Sequence, residues 1–208
     1  MEALDQVSTT LALTMGLAWA SGINLYATLF TLGYLANTGN IDLPPDLLII
    51  THPMVMGTAG LMYCVEFFAD KIPGIDTGWD SIHTFIRIPA GAMLAAGAIG
   101  EVNPAIEIAA TILGGGMAAA THATKSGSRV LINASPEPFT NWAASVTEDI
   151  AVIGGVWTCL NYPLIFLVAL VLSIFLMIWL LPKIWNGIKK VFRFIINLFR
   201  KKEDSTPA

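Results

Sequence analysis

Apolar residues form long runs along the chain, separated by short polar breaks. The clearest run covers 162–181 and contains no charged side chain. About twenty residues at 1.5 Å per residue are enough to cross a hydrocarbon core of about 30 Å. The whole pattern predicts six spans, at 7–35, 53–69, 81–99, 104–132, 140–160 and 162–181. The predicted fold class is therefore all-α, a polytopic transmembrane helical bundle.

Composition supports a membrane location. Hydrophobic residues make up 55% of the chain and charged residues 12%, with a mean hydropathy of +0.67. The acidic N-terminus lacks the basic region of a secretory signal, so we expect the first helix to be retained. Cys64 and Cys159 fall in predicted spans and outside any CxxC pair, which argues against a disulfide scaffold or a zinc site. We expect the lipid bilayer as a partner and no nucleic acid.

The basic residues predict orientation. Of the eleven Lys and Arg residues, seven lie between 183 and 202, beside the last span. This excess holds the C-terminus in the cytoplasm, and six spans then place the N-terminus there too. We expect a transmembrane domain at 1–182, a basic amphipathic helix at 183–202 that binds anionic lipid, and a disordered tail at 203–208. The predicted location is the bacterial inner (cytoplasmic) membrane.

The first and fourth spans share two features. Both are longer than an untilted crossing needs, and both contain small or polar residues, SGIN at 21–24 and GGG at 114–116. These features predict that both helices are interrupted. Together with three-plus-three spans, they suggest an inverted repeat of 7–99 and 104–181.

Ionisable side chains lie inside or at the ends of these apolar segments. Each costs about 2.5 to 3.5 kcal/mol near the bilayer centre unless it is paired or hydrated, so we expect function there. His122, Lys125 and Arg129 share one helical face by their spacing, and Asp80, His83 and Arg87 repeat that spacing. The predicted substrate- or ion-binding set comprises Asn24, Glu66, His83, Arg87, His122, Lys125, Arg129, Glu148 and Asp149.

Two interpretations of this set remain open. In the first, the residues line a wet cavity open to the cytoplasm. Glu66 and Glu148 then bind protons or cations, the Arg and Lys residues hold an anionic group, and the histidines tune protonation. In the second, the charges form structural pairs: Glu66 or Asp70 with Arg87, and Glu148 or Asp149 with Lys125 or Arg129.

Segment 70–80 carries three carboxylates, Asp70, Asp76 and Asp80, in a predicted cytoplasmic connector. Such a set can hold Mg²⁺ against a diphosphate, as in membrane phospho-alcohol transferases. The second acidic motif of those enzymes is absent, and Asp80 also suits the N-cap of the third helix. These three are therefore weak metal candidates, and we assign no catalytic residue, metal or cofactor.

Four segments together resemble a bacterial family of small polytopic membrane proteins, a domain of unknown function. They are SGIN at 21–24, VEFFADKIP at 65–73, THATK at 121–125 and TED at 147–149. The resemblance extends to about residue 180. It implies a membrane location and brings no activity or substrate with it.

The leading hypothesis is a transporter or permease-like protein for a small polar or anionic solute or an ion. The alternatives are a membrane enzyme that acts on a phosphorylated lipid head group, and a non-catalytic membrane subunit or scaffold. We expect a transporter rather than an enzyme. The sequence leaves open the substrate and whether the protein forms a homo-oligomer.

Overall fold

The computed structural model describes residues 2–100, 102–134 and 138–203. These residues form an all-α structure, as predicted. In chain order the elements are α1 (Glu2–Asn37), a 3₁₀ helix (Pro45–Thr51), α2 (Pro53–Ala69), α3 (Ile75–Ile99), α4 (Pro104–Asn133), α5 (Pro138–Asn161) and α6 (Pro163–Glu203). The predicted tail beyond Glu203 lies outside the described residues.

Helix α1 occupies the centre of the bundle and packs against all five of the other α-helices. Small residues allow this close packing. A Cβ atom at Gly22 would overlap the Thr121 hydroxyl and the Ala118 carbonyl of α4, and one at Gly91 of α3 would overlap Ser21 and Ala118. Helices α1, α3 and α4 therefore form a tightly packed core.

Four helices are long and apolar enough to cross a membrane, namely α3, α4, α5 and α6. The 3₁₀ helix and α2, bent by 65° relative to each other, make a fifth if they count as one span. Helix α1 falls outside this set. Because the other helices surround α1, most of its surface packs on protein and it needs less apolar character than a lipid-facing helix. These helices fit a multi-pass membrane protein, and the count of six spans stays a prediction.

The two predicted helix interruptions have different outcomes. Helix α1 is broken at Asn24, whose backbone angles (φ −146°, ψ 97°) are not helical. The predicted interruption of the fourth helix is wrong, because α4 runs unbroken from Pro104 through the triple glycine to Asn133. Glycine here allows contact instead: a Cβ at Gly114 would overlap Ala95 and approach the Gly91 carbonyl. A break in both helices was one reason to predict the inverted repeat, and the structure does not provide that support.

The predicted connector 70–80 is shorter than expected. Helix α3 begins at Ile75, after a turn in which Gly74 has φ 87°. Asp80 is consequently not an N-cap but lies inside α3, completely buried. Helix α6 also continues through Pro182 to Glu203 as one element, so the predicted amphipathic segment is its C-terminal extension.

Candidate functional site

Seven ionisable side chains from four helices meet near one end of the bundle. We call this set the central charge network: Glu66, Asp70, Asp80, Arg87, Lys125, Arg129 and Glu148. Glu66 lies in the last turn of α2, and Asp70 is the C-cap of that helix. Arg87 comes from α3, and Lys125 and Arg129 come from α4. The i, i+4 spacing of Lys125 and Arg129 places both side chains on one face of α4.

Lys125 is the centre of the network. Its Nζ lies 2.7 Å from Asp70 Oδ2, 3.3 Å from Glu66 Oε1, 3.7 Å from Glu148 Oε2 and 3.8 Å from Asp80 Oδ1. The same ammonium group also donates a hydrogen bond to the Ile23 carbonyl of α1 at 3.1 Å. One lysine thus connects α1, α2, α3 and α5.

Arg87 extends the network on the α2 and α3 side. Its Nη2 lies 2.6 Å from Glu66 Oε1 and its Nη1 3.0 Å from Asp80 Oδ1. Arg87 Nη1 is also 3.2 Å from His122 Nδ1. Because a guanidinium can only donate, Nδ1 of His122 accepts, and the ring proton is on Nε2, which faces the Asp80 carbonyl at 3.1 Å. This arrangement holds His122 as a neutral tautomer.

Arg129 extends the network on the α5 side. Its Nη2 lies 2.5 Å from Glu148 Oε2, and its Nη1 donates to the Asp70 carbonyl at 3.1 Å and to the Asn141 carbonyl at 3.0 Å. Nη1 also contacts the Asn141 side-chain oxygen. The arginine is therefore held by both α2 and α5.

The break in α1 is capped beside the network. Asn24 Oδ1 accepts a hydrogen bond from the Ala27 amide at 2.9 Å, as an N-cap does for the second half of the helix. Its Nδ2 donates to Asp149 Oδ1 at 3.0 Å. The carbonyl freed just before the break, that of Ile23, is the one that Lys125 binds. The break in α1 is thus tied to α4 and α5 by polar groups.

His83 lies apart from the ion pairs. Its Nδ1 faces the Trp79 carbonyl at 2.8 Å and therefore carries the ring proton, which leaves Nε2 to accept from the Tyr26 hydroxyl at 3.0 Å. The ring also stacks on Trp79, with centroids 4.2 Å apart. His83 therefore contacts α1 through Tyr26 rather than the network.

The remaining buried charges flank the network in the turn between α2 and α3. Lys71 donates to the Phe67 carbonyl at 2.9 Å and to Ser145 Oγ at 3.1 Å, and burial lowers the pKa of its ammonium group. Asp76 Oδ1 accepts from the Gly74 and Thr77 amides at 2.8 and 2.6 Å and from Asn133 Nδ2 at 2.7 Å. Asp76 thus caps the start of α3.

The three weak metal candidates do not form one cluster. Asp76 makes the capping bonds just described, whereas Asp70 and Asp80 both face Lys125. Over residues 2–100, 102–134 and 138–203, no group of three His, Cys, Asp or Glu side chains is arranged to hold a metal ion.

The network contains more carboxylates than cations. Three cations face four carboxylates, so one negative charge is in excess when all are ionised. Adding the flanking Lys71, Asp76 and Asp149 gives four cations against six carboxylates, so the excess stays negative. Glu66 Oε2, Asp70 Oδ1 and Asp80 Oδ2 are buried and have no hydrogen-bond partner among the described residues. Unit charges about 4 Å apart interact by about 4 kcal/mol at an effective dielectric constant of roughly 20, so an uncompensated carboxylate here is costly.

A cavity of 210 Å³, open toward the surface of the bundle, borders the network between α1, α4, α5 and α6. Lys125 and Glu148 form its polar wall, Trp19 lies on the α1 side, and Leu176 and Leu180 of α6 form an apolar wall. The side chain of Glu148 is 20% exposed, whereas the other network members are at most 3% exposed. Glu148 is therefore the member that a solute in the cavity would meet first.

The structure brings most of the predicted set together. Glu66, Arg87, Lys125, Arg129 and Glu148 lie in the network with His122 at its edge, while Asn24 and Asp149 bond to each other beside it and His83 faces Tyr26. Of the open pairings, Arg87 takes Glu66 and Arg129 takes Glu148. Sequence analysis missed Asn141, although it lies two turns before Glu148 and so shares its helical face. It also missed Trp19, for which the sequence carries no signal.

The fold and the site define an α-helical, multi-pass membrane protein with a buried charge network. The chain belongs to the family described as Domain of unknown function (DUF4126), whose model matches residues 11–183. No curated protein matches the chain. No solved structure matches it either.

Proposed function

We propose that the protein is a membrane transport protein in which the central charge network binds and releases a proton. The observation that carries this proposal is the excess carboxylate next to a cavity. A buried network with one negative charge too many is stable only when a proton or a cation supplies the missing positive charge. Glu148, at the cavity wall, gives that charge a route in and out.

The geometry favours a positive rather than a negative ligand for the network. Each network cation has a carboxylate oxygen 2.7 Å away or less, in Glu66, Asp70 or Glu148. An anionic solute would have to displace one of these carboxylates and would add to the existing negative excess. The expectation that Arg87, Lys125 and Arg129 hold an anionic group is therefore replaced here by a proposed cation site.

The break in α1 supplies a means of coupling. Lys125 binds the Ile23 carbonyl at the break, and Asp149, adjacent to Glu148, binds Asn24. A change in the charge of Glu148 alters the electrostatic forces on Lys125 and Asp149, the two residues that bind α1 at its break. The two halves of α1 therefore respond to ligand in the cavity. Alternating access in transporters commonly uses such discontinuous helices.

The test is proton flux in liposomes. Purified protein is reconstituted around a pH-sensitive dye, and a proton gradient is imposed. We expect wild-type protein to dissipate the gradient, Glu148→Gln to slow it to the rate of empty liposomes, and Glu107→Gln to behave as wild type. Glu107 is a matched control because it is an exposed carboxylate in the first turn of α4. Wild-type flux equal to that of empty liposomes, or full flux in Glu148→Gln, contradicts the proposal.

A second candidate, a non-catalytic membrane subunit, is favoured by the burial of the network. Arg87, Arg129 and Glu66 side chains are fully buried, as expected of charges that lock helices together. This candidate predicts a stoichiometric partner that co-purifies in mild detergent, together with liposomes that show no protein-dependent flux. The liposome experiment therefore separates the two functions.

A further inference from the structure

The cavity beside the network is large enough for a molecule of several heavy atoms. It measures 210 Å³, whereas a single water needs about 10 to 15 Å³ on this measure. Its walls combine a polar side from α4 and α5 with an apolar side from α6 that includes Leu176, Met177 and Leu180. A bare inorganic ion would leave most of this space and all of the apolar wall unused. The cavity therefore fits a ligand that has both a polar and an apolar part.

The electrostatics of the cavity wall select a positive polar part. Glu148 places a partly exposed carboxylate there, and its second oxygen, Oε1, makes no hydrogen bond with the part of the chain that the structure describes. Lys125, the cation at the wall, is surrounded by four carboxylates and is only 2% exposed. A cationic ligand at Glu148 supplies the charge that the network lacks.

Trp19 adds an aromatic surface to the same cavity. Its indole Nε1 donates to Ser173 Oγ at 3.0 Å, and its ring meets Phe166 edge-on with centroids 6.1 Å apart. These two contacts fix the ring between α1 and α6. A fixed indole that lines the same cavity as the Glu148 carboxylate is a favourable environment for an ammonium group, because an indole ring attracts cations.

We propose that this cavity binds a small organic ammonium ion, with Glu148 as its ionic partner, Trp19 as its aromatic partner and the α6 wall around its alkyl part. As the identity of a transported solute, this inference rests on the proposed function. As a binding site, it is measurable without any transport.

The test is calorimetric binding to the purified protein in detergent, with butylammonium as the probe and butyrate as an anion of matched size. We expect saturable binding of butylammonium and none of butyrate. Glu148→Gln should weaken butylammonium binding about a hundredfold, because the ligand loses its ionic partner. Trp19→Leu should weaken it roughly fivefold to tenfold.

Two further variants keep the test decisive if Glu148→Gln fails to fold. Ala151→Leu fills the cavity from α5 without touching a charge, and we expect it to abolish binding. Trp157→Leu changes an exposed tryptophan on the same helix and should bind as wild type. Equal binding of butyrate, or butylammonium binding that survives Ala151→Leu, overturns the proposal. Butylammonium binding without proton flux would sustain this site and refute only the transport function.

Discussion

Arg87 Nη2 lies 2.6 Å from Glu66 Oε1, and both side chains are completely buried. Loss of one partner leaves the other as an uncompensated buried charge. We therefore expect Arg87→Met to lower the free energy of unfolding by about 3 to 5 kcal/mol. Chemical unfolding in detergent measures this loss, with Lys189→Met on the exposed part of α6 as the control, expected within about 0.5 kcal/mol of wild type. Unchanged stability of Arg87→Met would show that the pair is solvated.

The charge excess predicts an asymmetry between cation and carboxylate substitutions. Lys125→Met leaves two cations against four carboxylates, whereas Glu148→Gln leaves three against three. We expect Lys125→Met to lose about 3 kcal/mol or more and Glu148→Gln to lose less than half as much. The same unfolding experiment compares the two. Equal losses, or a larger loss for Glu148→Gln, would argue that Glu148 is needed for charge balance.

Asn24 predicts a charge-specific effect at the break in α1. Asn and Asp cap helices about equally well, so Asn24→Asp keeps the cap on the Ala27 amide. The new carboxylate, however, faces Asp149 at hydrogen-bond distance. We expect Asn24→Asp to destabilise the protein by about 2 kcal/mol and the swap Asn24→Asp with Asp149→Asn to restore most of that. If the double swap fails to restore stability, the contact between residues 24 and 149 is contradicted.

The triple glycine of α4 predicts opposite effects of an alanine substitution at its first and third positions. Gly114→Ala forces a Cβ atom against Ala95 and the Gly91 carbonyl, so we expect a loss of about 1 to 3 kcal/mol. A Cβ at Gly116 meets no described atom within 4 Å, so Gly116→Ala should gain about 0.5 to 1 kcal/mol of helix propensity. Thermal unfolding of the two variants measures both signs. Destabilisation by Gly116→Ala would contradict the contact pattern.

Sequence analysis predicted the helices better than their interruptions. Hydropathy gave bounds for α2 that match the structure, since a continuous apolar run that begins at a proline and ends at an aspartate has a clear signal. It misjudged the start of α3 because Asp76 and Asp80 look like loop residues until their buried partners are known. The glycines of α4 carried the same ambiguity, because a glycine run suits both a broken helix and a close contact.

The sequence predicted most residues of the charge network but not which of them form ion pairs. Helical spacing placed Lys125 and Arg129 on one face and so indicated that they act together. Which carboxylate each meets depends on how α2, α4 and α5 are packed, and that information is absent from local spacing. For the same reason the charge excess around Lys125 and the cavity beside Trp19 emerged only with the fold.

The most direct test of the charge excess is the infrared absorption of protonated carboxylic acids, measured at neutral pH without added ligand. Wild-type protein should show a protonated carboxyl band that disappears in Glu148→Gln, since the variant has equal numbers of network cations and carboxylates, and persists in Glu107→Gln. A band that remains unchanged in Glu148→Gln would contradict the account, as would its absence from wild-type protein.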